Sequence, residues 1–577
     1  MIRQNCRLFR NIKQCFLTYL IFFLLSVGYI LLDGLLQYIP MGKAMDIVGI
    51  LQDTLSVSLV AFIIFLYVTY EYLAHGRRCF AEECLCTLPV SKNMQEGIQL
   101  IICILSGFLY TICMLGANLI FVALLHTNSL EYVWFMIRSL IVYFFLPMVI
   151  AVLLGAILSH IKNALFSYST LVILTFYFTI RFYQMFYDAE TLFGVSDLSQ
   201  FFCVSANYSI QYGYLFPLDL HFVVKPFYII GILLILLLCI FYCRRPKRRI
   251  ILSQIIILIG TLGGILVWRQ PDSGCYYGYC DQEDKLYSDM ESMEQSAVEN
   301  RFYVKEYNIE LSIDSGLSAK VQMVLSDEGC SEYSFTLFGP YDVISVMDED
   351  GNSVEYTRDG NFIVIGNEER SLKSIVICYS GEHLNRYFAG SNGIYLPGNF
   401  PFYPIAGKLP VYEQGLCELP SQESHFHVNI DCDKEVYSNL EMVSENVWEG
   451  ESNNFTLVSG FWKEKEIQGI DMIYPYVSVN YNPELNAYLM DGIMKYYAID
   501  EKLREKKVDY QMKGKKIVIA PFGYESGNYM FGSDVIIIGT RDDLDTYYLN
   551  YLLTGQWHMK DTLSDEEIQK ILEDNPL

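Results

Sequence analysis

The pattern of apolar and polar positions divides this chain into two halves with different periods. Up to about residue 270 it runs in long apolar stretches; beyond about residue 302 apolar and polar residues alternate with a period of two. Stretches at 15–32, 54–72, 97–125, 131–159, 163–185 and 224–243 approach the ~20 residues a helix needs to cross a bilayer core. A seventh, from Ile250 to Trp268, is interrupted only by Ser253, Gln254, Thr261 and three glycines. Arg244, Arg245, Lys247, Arg248 and Arg249 precede it, and Gln270-Pro271-Asp272 follows. Basic flanks stay cytoplasmic, so the chain beyond Trp268 is expected outside the membrane.

The other loops fit one topology. Arg3, Arg7, Arg10 and Lys13 place the N-terminus inside; Arg77, Arg78 and Lys92 place the loop after the second span inside, and Lys162 the loop after the fourth. The first outer loop has only Lys43, and residues 186–223 have no Lys or Arg. The first apolar run could be a signal peptide, but no small-x-small cleavage site follows, so it reads as a retained span. The basic leader places Ile2, Cys6, Leu8, Phe9 and Ile12 where they could share one face of an interfacial helix. Pro147 is expected to kink the fourth span.

The outer half reads as strands. Tyr307 to Ile313, Val321 to Leu325, Tyr333 to Leu337, Asn361 to Ile365 and Ser374 to Tyr379 carry the pattern, with a turn at Asp348-Glu-Asp-Gly351. His425 to Ile430, Asn454 to Val458 and Tyr474 to Val479 continue it. Later the pattern becomes α/β, with a helix over 483–507, short strands at Lys516–Ala520 and Asp534–Gly539, and further helices. The expected fold is therefore a seven-span helical membrane domain, then an extracytoplasmic all-β domain and a small α/β segment. The boundaries are 1–245 for six spans, 246–270 for the seventh, 271–302 for a linker, 303–480 for the β domain and 481–577 for the α/β segment.

Charge sharpens this division. Residues 271–577 hold 53 acidic and 23 basic residues, against 12 and 18 in residues 1–270. An outer half with net charge −30 argues against nucleic acid as a partner. Ten of the 16 cysteines lie in the membrane half, where a thiol behaves as a small apolar group. Cys275 and Cys280 flank a Tyr-Tyr-Gly-Tyr turn and could pair in an oxidising compartment. Asn207-Tyr-Ser209 and Asn454-Phe-Thr456 match the glycosylation sequon, which matters only in a eukaryotic secretory pathway; the chain reads as bacterial.

Within the spans, Asn118 and Arg138 are candidates for a translocation path. The blander reading has Asn118 bonding a neighbouring helix and Arg138 reaching the outer interface. The loop between the second and third spans runs from Glu71 to Lys92 and carries Arg77, Arg78, Glu82, Glu83, Leu88 and Pro89. It reads either as a charged connector or as a projecting helix that a cytoplasmic partner grips. Two spans followed by an acidic helix ending in Thr87-Leu-Pro-Val-Ser-Lys92 resemble the permease subunit of export-class ABC transporters, over about residues 1–245. That resemblance implies a separate ATPase docked on this loop, with a second permease copy or a paralogue completing the pore. A seventh span departs from the six-span family and would carry the acidic domain outside. No Gly-x-x-x-x-Gly-Lys-Ser/Thr occurs, so this chain does not bind nucleotide through a P-loop.

The outer texture has its own resemblance. Cys378-Tyr-Ser-Gly381, Gly393-Ile-Tyr-Leu-Pro-Gly-Asn-Phe-Pro-Phe-Tyr-Pro404, Val436-Tyr-Ser-Asn-Leu440 and Leu457-Val-Ser-Gly460 follow in an order similar to the N-terminal β domain of the aminopeptidase N family of zinc peptidases. In that family a helix carries His-Glu-x-x-His before Gln-Trp: two His bind zinc and the Glu activates water. Here Gln556-Trp557 puts Tyr551 and Gly555 at the ligand positions and Leu552 at the base position. None can do that chemistry, so no metal or other cofactor is expected in this chain, and the resemblance implies an inactive relative rather than an enzyme. His425 and His427 face the same way on one strand; they are either a metal-binding pair or two solvent-facing residues, and the second reading is preferred. The resulting expectation is a plasma-membrane ABC permease subunit, powered by a partner ATPase, with a peptidase-like outer domain. An anchored binding or sensing protein is the alternative, and a membrane-bound peptidase a further one.

Overall fold

The computed structural model describes residues 13–41, 47–78, 92–124, 130–178 except 162, 220–268 except 244 and 245, and, with short gaps, 302–539. The chain divides into two compact units, Met1–Tyr214 with Leu218–Ser273, and Leu215–Pro217 with Gly274–Leu577.

The first unit is helical. Its elements are α1 (Lys13–Met41), α2 (Ile47–Arg78), α3 (Lys92–Leu124), α4 (Leu130–Leu140), α5 (Leu146–Ser159), α6 (Ala164–Tyr177), α7 (Leu220–Tyr242) and α8 (Pro246–Trp268). Among the described residues five stretches are long and apolar enough to cross a membrane: Leu17–Ile39, Gly49–Ala74, Met94–Leu124, Tyr132–Ser159 and Val224–Tyr242. The expectation of seven is met only in this coarser form. α6 has 14 residues, short of the ~20 a crossing takes. α8 forms over 23 residues but opens with Pro-Lys-Arg-Arg, and it is not among the five.

The fourth span is α4 and α5 joined by a π-helical turn, Ile141–Phe145. Pro147 explains it. Proline has no N–H for the carbonyl four residues back, Tyr143, and its ring pushes that carbonyl aside, so the local winding widens. α5 then packs closely on α2. A Cβ on Gly155 would stand 2.8 Å from the Leu66 carbonyl oxygen and 3.1 Å from Thr69 Cβ, so only glycine permits this approach.

The second unit is built from sheets. A seven-stranded sheet has the order 441–444, 447–452, 424–431, 304–313, 317–325, 374–381, 342–348. All its pairs are antiparallel except Val304–Ile313 with Ser424–Asp431, which run parallel. Leu317–Leu325 alternates buried and solvent-facing residues, as the period of two requires. The parallel register sets Tyr307 beside Phe426, and their rings stack with centroids 4.8 Å apart. Tyr403 meets Tyr307 edge-on at 5.7 Å, so three aromatic rings fill this part of the core. The turn at 348–351 forms as the sequence indicates: Asp348 Oδ1 accepts the N–H groups of Asp350 and Asn352 at 3.0 and 2.8 Å, and Gly351 takes φ 82°.

Two four-stranded sheets complete the β-rich part, and a five-stranded sheet follows with the order 462–467, 470–475, 516–519, 535–538, 530–531. Its three central strands, Ile470–Pro475, Lys516–Ile519 and Val535–Ile538, run parallel. The strands Lys516–Ile519 and Val535–Ile538 are nearly continuous apolar runs, as expected of a parallel sheet covered on both faces.

Candidate functional site

The sequence-based candidates fall in separate places. In the loop region, Arg77 and Arg78 are the last residues of α2, and Glu82, Glu83, Leu88 and Pro89 lie outside the described residues. About two turns before the end of α2, the Glu71 carboxylate accepts a hydrogen bond from the Tyr168 hydroxyl of α6, and the Tyr168 ring meets Tyr70 edge-on at 5.3 Å. These contacts fix the end of α2 against α6.

Asn118 is buried on α3. Its Nδ2 donates to Thr54 Oγ1 on α2 and to the Met114 carbonyl, both at 2.9 Å. Its Oδ1 is buried with no hydrogen-bond partner. Thr54 donates in turn to the Ile50 carbonyl at 2.9 Å. The arrangement is a short polar ladder between two spans, with one acceptor left over. Arg138, on α4, is exposed, and no hydrogen bond joins it to Asn118.

On the second unit, His425 and His427 face one side of the seven-stranded sheet. His425 Nε2 lies 3.1 Å from Glu449 Oε1, and its Nδ1 lies 3.0 Å from Glu451 Oε1. His427 Nδ1 is 3.8 Å from Glu449 Oε2. Both rings are thus occupied by carboxylates of the neighbouring strand. Among the described residues no group of three or more His, Cys, Asp or Glu is arranged to hold a metal ion. Cys275, Cys280, Tyr551, Leu552, Gly555 and Asn207 lie outside the described residues. Asn454 is fully buried, so its sequon offers no accessible side chain.

A polar centre that the sequence reading missed lies where the β-rich part meets the parallel sheet. Asp534 precedes the strand Val535–Ile538. Its Oδ2 accepts from Asn439 Nδ2 at 2.8 Å, and its Oδ1 accepts from Ser452 Oγ at 2.6 Å. Asn439 Nδ2 also reaches the Asn454 carbonyl at 3.0 Å, and Asn454 Oδ1 accepts from Thr456 Oγ1 at 3.1 Å. Lys516 Nζ bonds the Ser438 carbonyl at 3.0 Å and Glu464 at 2.7 Å. Burial pushes the Asp534 carboxyl above its ordinary range, and the bonds from Ser452 and Asn439 pull against that shift. The only local signal is the run Ser452-Asn453-Asn454 ahead of an apolar strand. A second such cluster centres on Glu484, which receives Tyr474 Oη at 2.6 Å, Lys463 Nζ at 3.2 Å and Lys465 Nζ. Burial raises its carboxyl, but the bonds from Lys465, Tyr474 and Lys463 outweigh that and hold it at about 2. Both clusters tie together residues that are distant in the sequence.

No family model and no curated protein matches the chain. Solved structures do. The chain is similar to leukotriene A4 hydrolase from Saccharomyces cerevisiae, at 13% identity and TM-score 0.31, over 45% of this chain and 46% of that one. It is similar to an M1 zinc metallopeptidase from Deinococcus radiodurans, at 12% identity and TM-score 0.31, over 46% and 67%. A native yeast LTA4 hydrolase gives 15% identity and TM-score 0.32, over 44% and 43%. The chain thus spans less than half the length of the yeast proteins it matches. These structures are enzymes, and the expectation that the chain is not an enzyme is corrected on this finding: the exclusion of catalysis is withdrawn. The positions on which that exclusion rested are among those outside the described residues.

Proposed function

We propose that this chain is the membrane subunit of an ABC transport system, acting in the export direction in a plasma membrane, with a peptidase-like domain on the outer side. The observation that carries this reading is the charge pattern of the loops around the apolar helices. It supports a cytoplasmic side for the end of α2 and the start of α3, together with Arg77, Arg78, Glu82 and Glu83. A separate ATPase would grip that segment, and a second permease copy or a paralogue would complete the pore. In this reading α6 and α8 complete the seven crossings, and the acidic half faces outward.

The test is co-purification of the full chain from its native membrane, with mass spectrometry of what accompanies it. An ABC ATPase bound to the wild type, and weakened at least tenfold by changing Arg77, Arg78, Glu82 and Glu83 together to Ala, is the expected result. No ATPase in either sample would overturn the transporter reading. A membrane-bound peptidase-like enzyme is the second reading, favoured by the kind of protein to which the chain is similar. Bound zinc in the same preparation, with hydrolysis of aminoacyl substrates that a chelator abolishes, would move the assignment there.

A further inference from the structure

The polar and small residues that interrupt α8 lie on two different sides of the helix. One side packs on α7. A Cβ on Gly260 would stand 2.8 Å from Ile232 Cδ1, and one on Gly263 would stand 2.7 Å from the Tyr228 hydroxyl oxygen. That hydroxyl donates to the Gly260 carbonyl at 2.9 Å. The other side carries Gln254. At about 100° per residue it stands about 120° round the helix from Gly260. Gln254 is exposed, and its amide has no hydrogen-bond partner among the described residues. Ile250, Ile257 and Thr261 share its side, and the two isoleucines are 59% and 50% exposed.

A primary amide carries both donor hydrogens and an acceptor oxygen, and acyl chains satisfy neither. Gln254 follows Arg249 by about 7.5 Å along the axis and precedes Trp268 by about 21 Å. In the crossing that the proposed function gives α8, the amide therefore lies within the hydrocarbon, where an unpaired polar group is costly. The sequence Ile250, Gln254, Ile257, Thr261 has the alternating four- and three-residue steps of a supercoiled helix seam. In such a seam a single polar residue fixes the register.

We propose that the Gln254 side of α8 is the contact with a second copy of this chain, the two α8 helices pairing in parallel with an amide–amide hydrogen bond between their Gln254 side chains. The partner follows from the chemistry of the group. Two copies in one membrane have the same orientation, so a two-fold axis along the membrane normal brings Gln254 to Gln254 at equal depth. The amide is donor and acceptor at once, so it is complementary to itself. The α7 contact, on the other side of α8, is left intact. This inference rests on the crossing of α8 in the proposed function and not on the ATPase; it makes the second copy, rather than a paralogue, the partner.

The experiment is oxidative cross-linking of the full chain in its native membrane, read on a non-reducing gel. Ile257→Cys places a thiol on the Gln254 side, and Ile259→Cys places one about 140° round the helix from Gln254. A band at twice the chain mass is expected from Ile257→Cys, above the background of the native cysteines, and not from Ile259→Cys. Adding Gln254→Leu should reduce that band about threefold or more, whereas Gln254→Asn, which keeps an amide, should retain it. Equal bands from the two positions, or an Ile257→Cys band that Gln254→Leu leaves unchanged, would overturn the proposal. So would loss of the band with Leu and Asn alike. A C-terminal epitope tag, probed on intact and on opened cells, separates this failure from that of the topology. A tag reached from outside with no Ile257→Cys band sinks the helix pairing alone. A tag reached only in opened cells sinks the outward placement of the acidic half, and the pairing with it.

Discussion

The helical unit and the β-rich unit satisfy their polar side chains in opposite ways. In the helices serine and threonine hydroxyls turn back on their own backbone, while tyrosines reach across: Thr54 donates to Ile50, Thr111 to Gly107, Ser159 to Ala156 and Thr175 to Leu171, but Tyr19 donates to Ser106 and Tyr228 to Gly260. In the sheets they reach across the sequence: Ser424 Oγ donates to Val304, Thr336 Oγ1 to Gly407 and Tyr379 Oη to Phe402. The reason is the surrounding medium and the geometry. A helix in an apolar environment must close its hydrogen bonds within one segment, and a carbonyl one turn back is always within reach. A sheet commits its backbone to neighbouring strands, so a buried polar side chain finds its partner on another element. The lesson is that the short hydroxyls of each helix are satisfied locally and the helices meet by close packing, as at Gly155, and a few longer side chains, whereas buried polar groups of the β-rich unit depend on distant partners being present together.

That comparison makes its largest prediction at Asp534. Replacing it with Ala removes the acceptor for Ser452 and one acceptor for Asn439 at a buried junction, and leaving such groups unpaired costs about 1–3 kcal/mol. Chemical denaturation of the full chain, followed by the fluorescence of the tryptophans of its β-rich unit, should show that transition shifted to lower denaturant while the helical signal is unchanged. A shift within error would mean that the junction is held by packing alone, and the contrast between the two units would fail.

The same contrast explains what could be read from the sequence. Apolar length is a local signal, and it delivered the five long helices, while Pro147 marked the break in the fourth. Alternation and the Asp348 turn are also local, and the strands around them form where the pattern places them. What escaped is non-local. Nothing near Tyr307 says that its strand pairs in parallel with the one carrying Phe426, because each strand alternates equally well in either direction. Nothing near Asp534 names Asn439 or Ser452. The fifth stretch, 163–185, is described only in part: its helix covers Ala164–Tyr177, and 179–185 lie outside the described residues. The candidate positions in the loop after α2 and at 551–555 were chosen by resemblance, and they lie outside the described residues.

A smaller effect is expected at Glu484, where the partners are distant in sequence but partly open to water. Exposed ion pairs contribute only about 0.2–1 kcal/mol, so Glu484→Gln should cost no more than that near neutral pH. Its pH dependence has a definite sign. The folded carboxyl titrates at about 2 against an ordinary value of 4.5, so the stabilisation is present above 4.5 and is lost as the pH falls toward 2. The stability difference between wild type and Glu484→Gln should therefore shrink on acidification across that window. A difference that stays constant or grows would show that Tyr474 and the two lysines are held by something other than the carboxylate charge.

The smallest effect is expected where the comparison is sharpest, at Asn118. This residue makes a side-chain bond between α2 and α3, and by analogy with Asp534 its loss should be costly. The helical environment argues otherwise. Thr54 keeps its own bond to the Ile50 carbonyl when Asn118 is gone, so no donor is stranded. The Asn118 Oδ1 atom is already buried without a partner, so Asn118→Leu removes an unsatisfied acceptor along with the bond. Interhelical hydrogen bonds in membrane proteins average about 0.6 kcal/mol, and the two changes nearly cancel. Thermal unfolding in detergent should place Asn118→Leu within error of the wild type, and a double-mutant cycle with Thr54→Val should give a coupling no larger than that average. If Asn118→Leu instead unfolds the helices or abolishes an established transport activity while stability holds, Asn118 belongs to the transport path rather than to packing, and its free acceptor is the atom to examine.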